Sequence, residues 1–165
     1  MEVIISISSL VVASCALGFT AWQAFSQREF NRISVRPHLF SFTTLDKNNN
    51  SARIQVLLIN NGLGPAFISS FRVFHQEGEL DSDIAIDKAL GDLAKNSSRT
   101  ILGEDYALAE KEQVVLLSVT FLANSEADIN EVQRRIDSLD LLIEYSSAFE
   151  KMGAFDSRAD SAHKM

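Results

Sequence analysis

The sequence predicts a mainly β fold carried behind one N-terminal transmembrane helix, with two short helices set among the strands. Three observations predict it. Residues Val3 to Gln27 hold no charged side chain. The 138 residues after them are the size of one domain and enough to bury a real core. Apolar residues in that remainder recur with period two over several runs, and turn-forming Asn, Gly and Pro residues separate the runs.

The first run suits a bilayer. A hydrocarbon core about 30 Å thick needs roughly 20 apolar helical residues. Val3 to Gln27 would extend about 37 Å as a helix. Ser6, Ser8, Ser9, Ser14 and Thr20 fit, because their hydroxyls can bond to carbonyls one turn earlier. Trp22 falls where an indole favours the headgroup zone, and Arg28, Arg32 and Arg36 come next as membrane-interface residues. A cleaved signal peptide wants a cationic start and a short apolar core. This chain starts Met1-Glu2, and its apolar run is too long for that. Val12-Ala13-Ser14-Cys15 resembles a lipobox loosely, which would make Cys15 a lipidated terminus, but the chain stays apolar through Trp22. A buried core helix rarely runs so long without a charge.

Charge then sets orientation. Three arginines flank the segment on its C-terminal side, and no Lys or Arg precedes it. The positive-inside rule puts the C-terminal domain in the cytoplasm, with the helix in a cell inner membrane as a single pass. The one cysteine leaves no disulfide for an exported domain. All Lys and Arg, and every acidic residue but Glu2, lie after Gln27, so the soluble part carries a net charge of −6. An acidic domain excludes sequence-independent nucleic-acid binding, which needs a basic patch.

Ser26 to Ser34 continues the helix as a neck over residues 28–36. Pro37 ends it, because the residue before proline is biased towards extended backbone. Val35 to Leu45 is the first strand, with Phe40 and Phe42 on one face. Asp46 to Ser51 is a turn by composition. Arg53 to Asn60 is the second strand. Ile54, Val56 and Leu58 alternate with Leu57 and Ile59, the pattern of a central strand covered on both faces.

A structural corner comes next, at Asn60-Asn61-Gly62-Leu63-Gly64-Pro65-Ala66. Gly62 and Gly64 permit positive φ, Asn61 tolerates it, and Pro65 fixes φ ahead of the next strand. A phosphate cradle would need a Lys-Ser/Thr and a helix N-terminus after the glycines, and Ala66 to His75 reads as an aromatic strand.

An apolar strand, Asn-x-Gly-x-Gly-Pro-Ala and an aromatic strand together resemble the second and third strands of immunoglobulin-like sandwiches in bacterial adhesion-type modules. The layout is also similar to small bacterial single-pass membrane proteins of uncharacterised function. There the matching residues are Arg36-Pro37, Asn60 to Ala66 and, more loosely, Leu141 to Ser147. The resemblance implies an immunoglobulin-like β-sandwich over residues 37–157. It carries no activity and no functional residues with it.

Gln76 to Asp81 reads as a polar loop. Ser82 or Asp83 caps a helix to about Ala94. Asp81, Asp83 and Asp87 lack the spaced oxygens, central glycine and closing glutamate of a calcium loop. Ser98 to Leu102 is a short strand. Gln113 to Leu122 is the strongest strand, with Val115, Leu117, Val119 and Phe121 facing one way. Ser125 caps a helix to about Ser138 that lies across one end of the sandwich. Leu139 to Ser146 pairs with a final strand, Gly153 to Ser157, and residues 158–165 form a disordered tail.

No catalytic constellation emerges, and no cofactor or metal is implied. His38, His75 and His163 have no ligand at metal spacing, and the chain lacks a nucleophile elbow, a zincin helix and a Walker loop. The expected function is a membrane-tethered protein-interaction or assembly module that is not an enzyme. Its partners would be the lipid bilayer and a protein partner or second copy. The alternative is a sensor or effector whose domain binds a small ligand such as a signalling nucleotide.

Overall fold

A computed structural model describes residues 2–75, 78–149 and 151–158. The chain divides into two compact units, Met1–Val35 and Arg36–Met165. The first is one helix, α1 (Glu2–Ser34), whose stretch Val3–Asn31 is long and apolar enough to cross a membrane. Three of its hydroxyls are satisfied within the helix. Ser8 Oγ donates to the Ile5 carbonyl (2.9 Å), Ser14 Oγ to Leu10 (2.9 Å) and Thr20 Oγ1 to Ala16 (2.8 Å). Because α1 alone takes 33 residues, helix and strand hold nearly equal shares of the chain, and "mainly β" describes only the second unit.

That unit contains nine strands among its described residues: β1 (Leu39–Asn48), β2 (Ser51–Asn60), β3 (Ala66–His75), β4 (Gly78–Leu80), β5 (Ser97–Arg99), β6 (Ala107–Leu108), β7 (Gln113–Leu122), β8 (Leu139–Ser146) and β9 (Lys151–Asp156). Two further helices, α2 (Ser82–Leu90) and α3 (Glu126–Asp137), interrupt them. One antiparallel sheet runs β1-β2-β7-β5. The other runs β4-β3-β8-β9, with β6 also paired to β3.

Strand limits obey local chemistry more closely than composition suggests. The expected turn Asp46–Ser51 shrinks to Asn49-Asn50, and β1 and β2 pair right up to Asn48 and Ser51. Asn49 sits at φ 39°, a conformation that asparagine tolerates and tight hairpins require. In β7 the expected alternation breaks once. Val56 faces Leu117 but Leu57 faces Val115, so Leu116 is an extra residue. The bulge flips the phase, and Leu116 and Leu117 are both buried. Leu57 and Ile59 are half-buried, so β2 is not fully covered on its second face. The expected polar loop at 76–81 contains β4, with residues 76 and 77 outside the described set. The expected tail beyond residue 158 also lies outside it.

The sheets bury a common core in two clusters. The first sets Ile54, Val119 and Phe121 against Val73, and is closed by Leu90 of α2 and by Val132 and Ile136 of α3. The second sets Leu39, Leu58 and Leu116 against Ile68, Leu108 and Ile143. Asp81, one residue earlier than expected, caps α2 by accepting from the Asp83 N–H (3.1 Å). The helix stops at Gly91 (φ 57°), and a 3-10 turn, Gly91–Asn96, completes the stretch expected to be helical. Arg99 at the end of β5 pairs with Asp83 (3.1 Å) and Asp87 (2.9 Å). Two of the aspartates considered for calcium therefore fasten β5 to α2.

A reciprocal cap starts α3. Ser125 Oγ accepts from the Asp128 N–H (3.3 Å), and Asp128 Oδ2 accepts from the Ser125 N–H (3.0 Å). Ser125→Ala should cost about 1 kcal/mol. Asp128→Ala should cost a similar amount, and the double variant less than the two together. Equilibrium unfolding of the four proteins checks this, and strict additivity would contradict a shared cap.

Candidate functional site

The corner between β2 and β3 is built on one side chain. Asn60 is fully buried. Its Oδ1 accepts from the backbone N–H of His38 (3.1 Å) and of Gly62 (3.0 Å). Its Nδ2 donates to the carbonyls of Gly64 (2.7 Å), Leu108 (3.1 Å) and Ala109 (3.3 Å). Its main chain bonds to Glu112 O and Lys111 N at 3.1 and 2.9 Å. One residue thus joins the approach to β1, the end of β2, the turn into β3 and the end of β6.

Gly62 serves a different purpose from the one expected. Among the described residues Gly91 is the glycine at positive φ, and Gly62 is not in that region. A Cβ on Gly62 would collide with the Arg36 carbonyl oxygen, the Cα of Pro37 and the His38 nitrogen. The corner needs glycine because another backbone crosses directly over it. Arg36, expected at the membrane interface, contributes its carbonyl here and accepts from the Leu63 N–H (3.2 Å). The Asn61 N–H is taken by the His38 carbonyl (2.8 Å). With these donors engaged internally, the corner offers no anion cradle. Pro65 leads into β3 as expected. In α1, Trp22 and Arg28 are exposed, and Trp22 packs its ring 5.9 Å from that of Phe19. Arg32 lies in the same helix.

Two features were not singled out from sequence. The first is the outer edge of β1, ten residues long and paired on one side only among the described residues. No proline interrupts it, and its only charges, Asp46 and Lys47, lie near its far end. In a two-residue hairpin the flanking pair is hydrogen-bonded, and the bonding alternates from there. The N–H groups of Ser41, Thr43 and Leu45 therefore face the open side.

The second is a cleft of about 960 Å³ that opens between the two sheets. Phe42, Val56 and Leu117 line it from one sheet, Phe71 and Leu141 from the other, and Ile136 from α3. Val56, Phe71, Leu139 and Leu141 sit on inner faces yet are only half-buried, because the sheets do not close over them. Gln133, Asp137, Asp140 and Ser157 supply polar groups. Asp137 accepts from Gln133 Nε2 (2.8 Å) and Asp140 from Ser157 Oγ (3.2 Å). Arg158, next along the chain, is held by Asp156 (3.0 Å) and lies 4.8 Å from the Phe74 ring centre. That guanidinium holds the Asp156 carboxyl below its ordinary range. Composition could have suggested neither feature, since both depend on which strand ends at a sheet edge.

Among the described residues no three His, Cys, Asp or Glu side chains converge as a metal site. His75 Nδ1 lies 3.3 Å from Ser138 Oγ, and His163 is outside the described residues. Comparison with family models, curated proteins and solved structures gives no match to this chain.

Gly62→Ala should destabilise the domain by about 3 kcal/mol, since backbone must move to admit the methyl. Gly103→Ala meets nothing within 4 Å. It should change stability by less than about 0.5 kcal/mol. Thermal unfolding of the two variants checks the contrast, and equal midpoints would contradict the close approach.

Proposed function

We propose that this chain is a membrane-tethered protein-interaction or assembly module without catalytic activity. In this reading α1 is a single-pass anchor in a cell inner membrane, and the arginines after it keep the β domain cytoplasmic. The domain is an immunoglobulin-like sandwich. Its strand order supports that: β1-β2-β7-β5 and β4-β3-β8-β9 match the ABED and CFG arrangement, with β4 as an added edge strand. The likeness to small bacterial single-pass proteins rests on the corner residues Asn60 to Ala66 and on this layout.

The observation that carries the function is the open edge of β1. Soluble domains commonly guard a long edge with proline, inward charge or a bulge, and β1 has none of these over Leu39 to Leu45. An unguarded edge is a template for a strand from a protein partner or a second copy. The small-ligand alternative has the inter-sheet cleft in its favour. Its nucleotide form finds no support in that cleft, because the lining holds no Lys, Arg or His among the described residues.

A photo-crosslinking residue at Thr43 of the full chain, activated in native membranes, tests the edge. A discrete adduct should form there and not at exposed Glu126 at the start of α3. Leu45→Pro should abolish it while leaving the fold intact, since its N–H points away from β2. Only monomer at Thr43, together with only monomer in a mild-detergent pull-down, would contradict the proposal.

A further inference from the structure

The inter-sheet cleft has an interior and a rim of different chemistry. Its depth is apolar: Val56, Phe71, Leu117, Ile136 and Leu141 come from both sheets and α3. Its size falls within the range of small-molecule sites. It lies where the core divides, and Phe71 and Leu141 pack against both clusters. A filled cleft would join those clusters into one continuous interior. Among the described residues, the ionisable groups in its lining are Asp137 and Asp140, both acids. Each carboxylate has one oxygen engaged by a neutral donor, Gln133 Nε2 or Ser157 Oγ, and neither of these cancels its charge. Arg158 is turned to Asp156 and Phe74.

We infer that the cleft binds a small amphipathic cation, an alkyl or aryl ammonium whose apolar body enters between the sheets and whose charged end meets Asp137 and Asp140. Burial of the apolar body supplies the affinity. The two carboxylates supply the sign preference, because a like-charged head would be held beside two acids. The cleft shares Phe40 to Thr43 of β1 with the open edge, but the two differ in what they recognise: edge pairing uses backbone groups, and the cleft uses side-chain chemistry.

The test uses the full chain in lipid nanodiscs and two matched, water-soluble probes, 4-phenylbutylammonium and 4-phenylbutyrate. Calorimetric titration should show saturable binding of the ammonium at one site, roughly fivefold or more tighter than the carboxylate. Asp137→Asn with Asp140→Asn should remove that preference and leave the apolar contribution. Val56→Phe should narrow the apolar interior and weaken binding of both probes by about fivefold or more. Because a core substitution can unfold the domain, Ser41→Trp, placed at the β1 side of the cleft, gives a second block, and circular dichroism confirms the fold of each variant. No saturable binding of the ammonium overturns the inference. So does an equal affinity for the two probes, or full ammonium binding retained in both folded variants, Val56→Phe and Ser41→Trp.

Discussion

A single buried amide fastens one end of the second unit of this protein. Asn60 has two acceptor lone pairs and two donor hydrogens, and every one of them is used on main-chain groups from other segments. Each such bond contributes about 1 kcal/mol net, and leaving its partner buried and unpaired costs about 1–3 kcal/mol. No apolar residue of similar size can satisfy His38 N–H, Gly62 N–H, the Gly64 carbonyl and the Leu108 carbonyl together. Gly62 is the other half of the arrangement, because only a residue without a side chain lets the Arg36 to His38 backbone pass close enough to reach the amide.

Fixing that corner fixes the segments on either side. The start of β1 is anchored through His38, so β1 is committed to β2 and its opposite edge stays open. The end of β6 is anchored through Leu108 and Ala109, which ties the second sheet to the first. Tyr145 of β8 reaches the backbone of Leu39 near the same place; burial pushes its phenol pKa up, and that contact pulls it partly back. The far end is held differently, by α2 and α3 joined through Arg135 to the Leu90 carbonyl (3.1 Å). Between these two fastened ends the sheets separate enough to leave the cleft. An edge that is unpaired among the described residues and an accessible interior both arise from where the domain is tied and where it is not.

Much of the architecture was legible in the residues. The charge-free run, the strands Ala66–His75, Gln113–Leu122 and Leu139–Ser146, and the Ser125 cap all announce themselves through period, composition or capping chemistry. The corner was visible as a motif, but its mechanism was not. Composition suggests left-handed glycines, whereas the structure uses Gly62 for close backbone approach, a long-range contact that no local pattern encodes. The bulge at Leu116 and the shift of the α2 cap to Asp81 escaped for the same reason, since both depend on register with partners elsewhere. Asp83 and Asp87, which lack the spacing of a calcium loop, gained a role only when Arg99, twelve or more residues on, was placed beside them. The open edge and the cleft depend on sheet order, which a linear sequence does not display.

Hydrogen exchange at two backbone amides tests the central role of Asn60 most directly. His38 precedes β1 and Gly62 lies in a turn, so neither gains protection from a strand ladder, and the bonds that shield them go to Asn60 Oδ1. In the intact full-length protein both should exchange as slowly as amides in the middle of β2 and β7, opening only when the domain unfolds. Exchange at the rate of an exposed turn, with β2 and β7 still protected, would show that the amide does not hold the corner and would contradict this account.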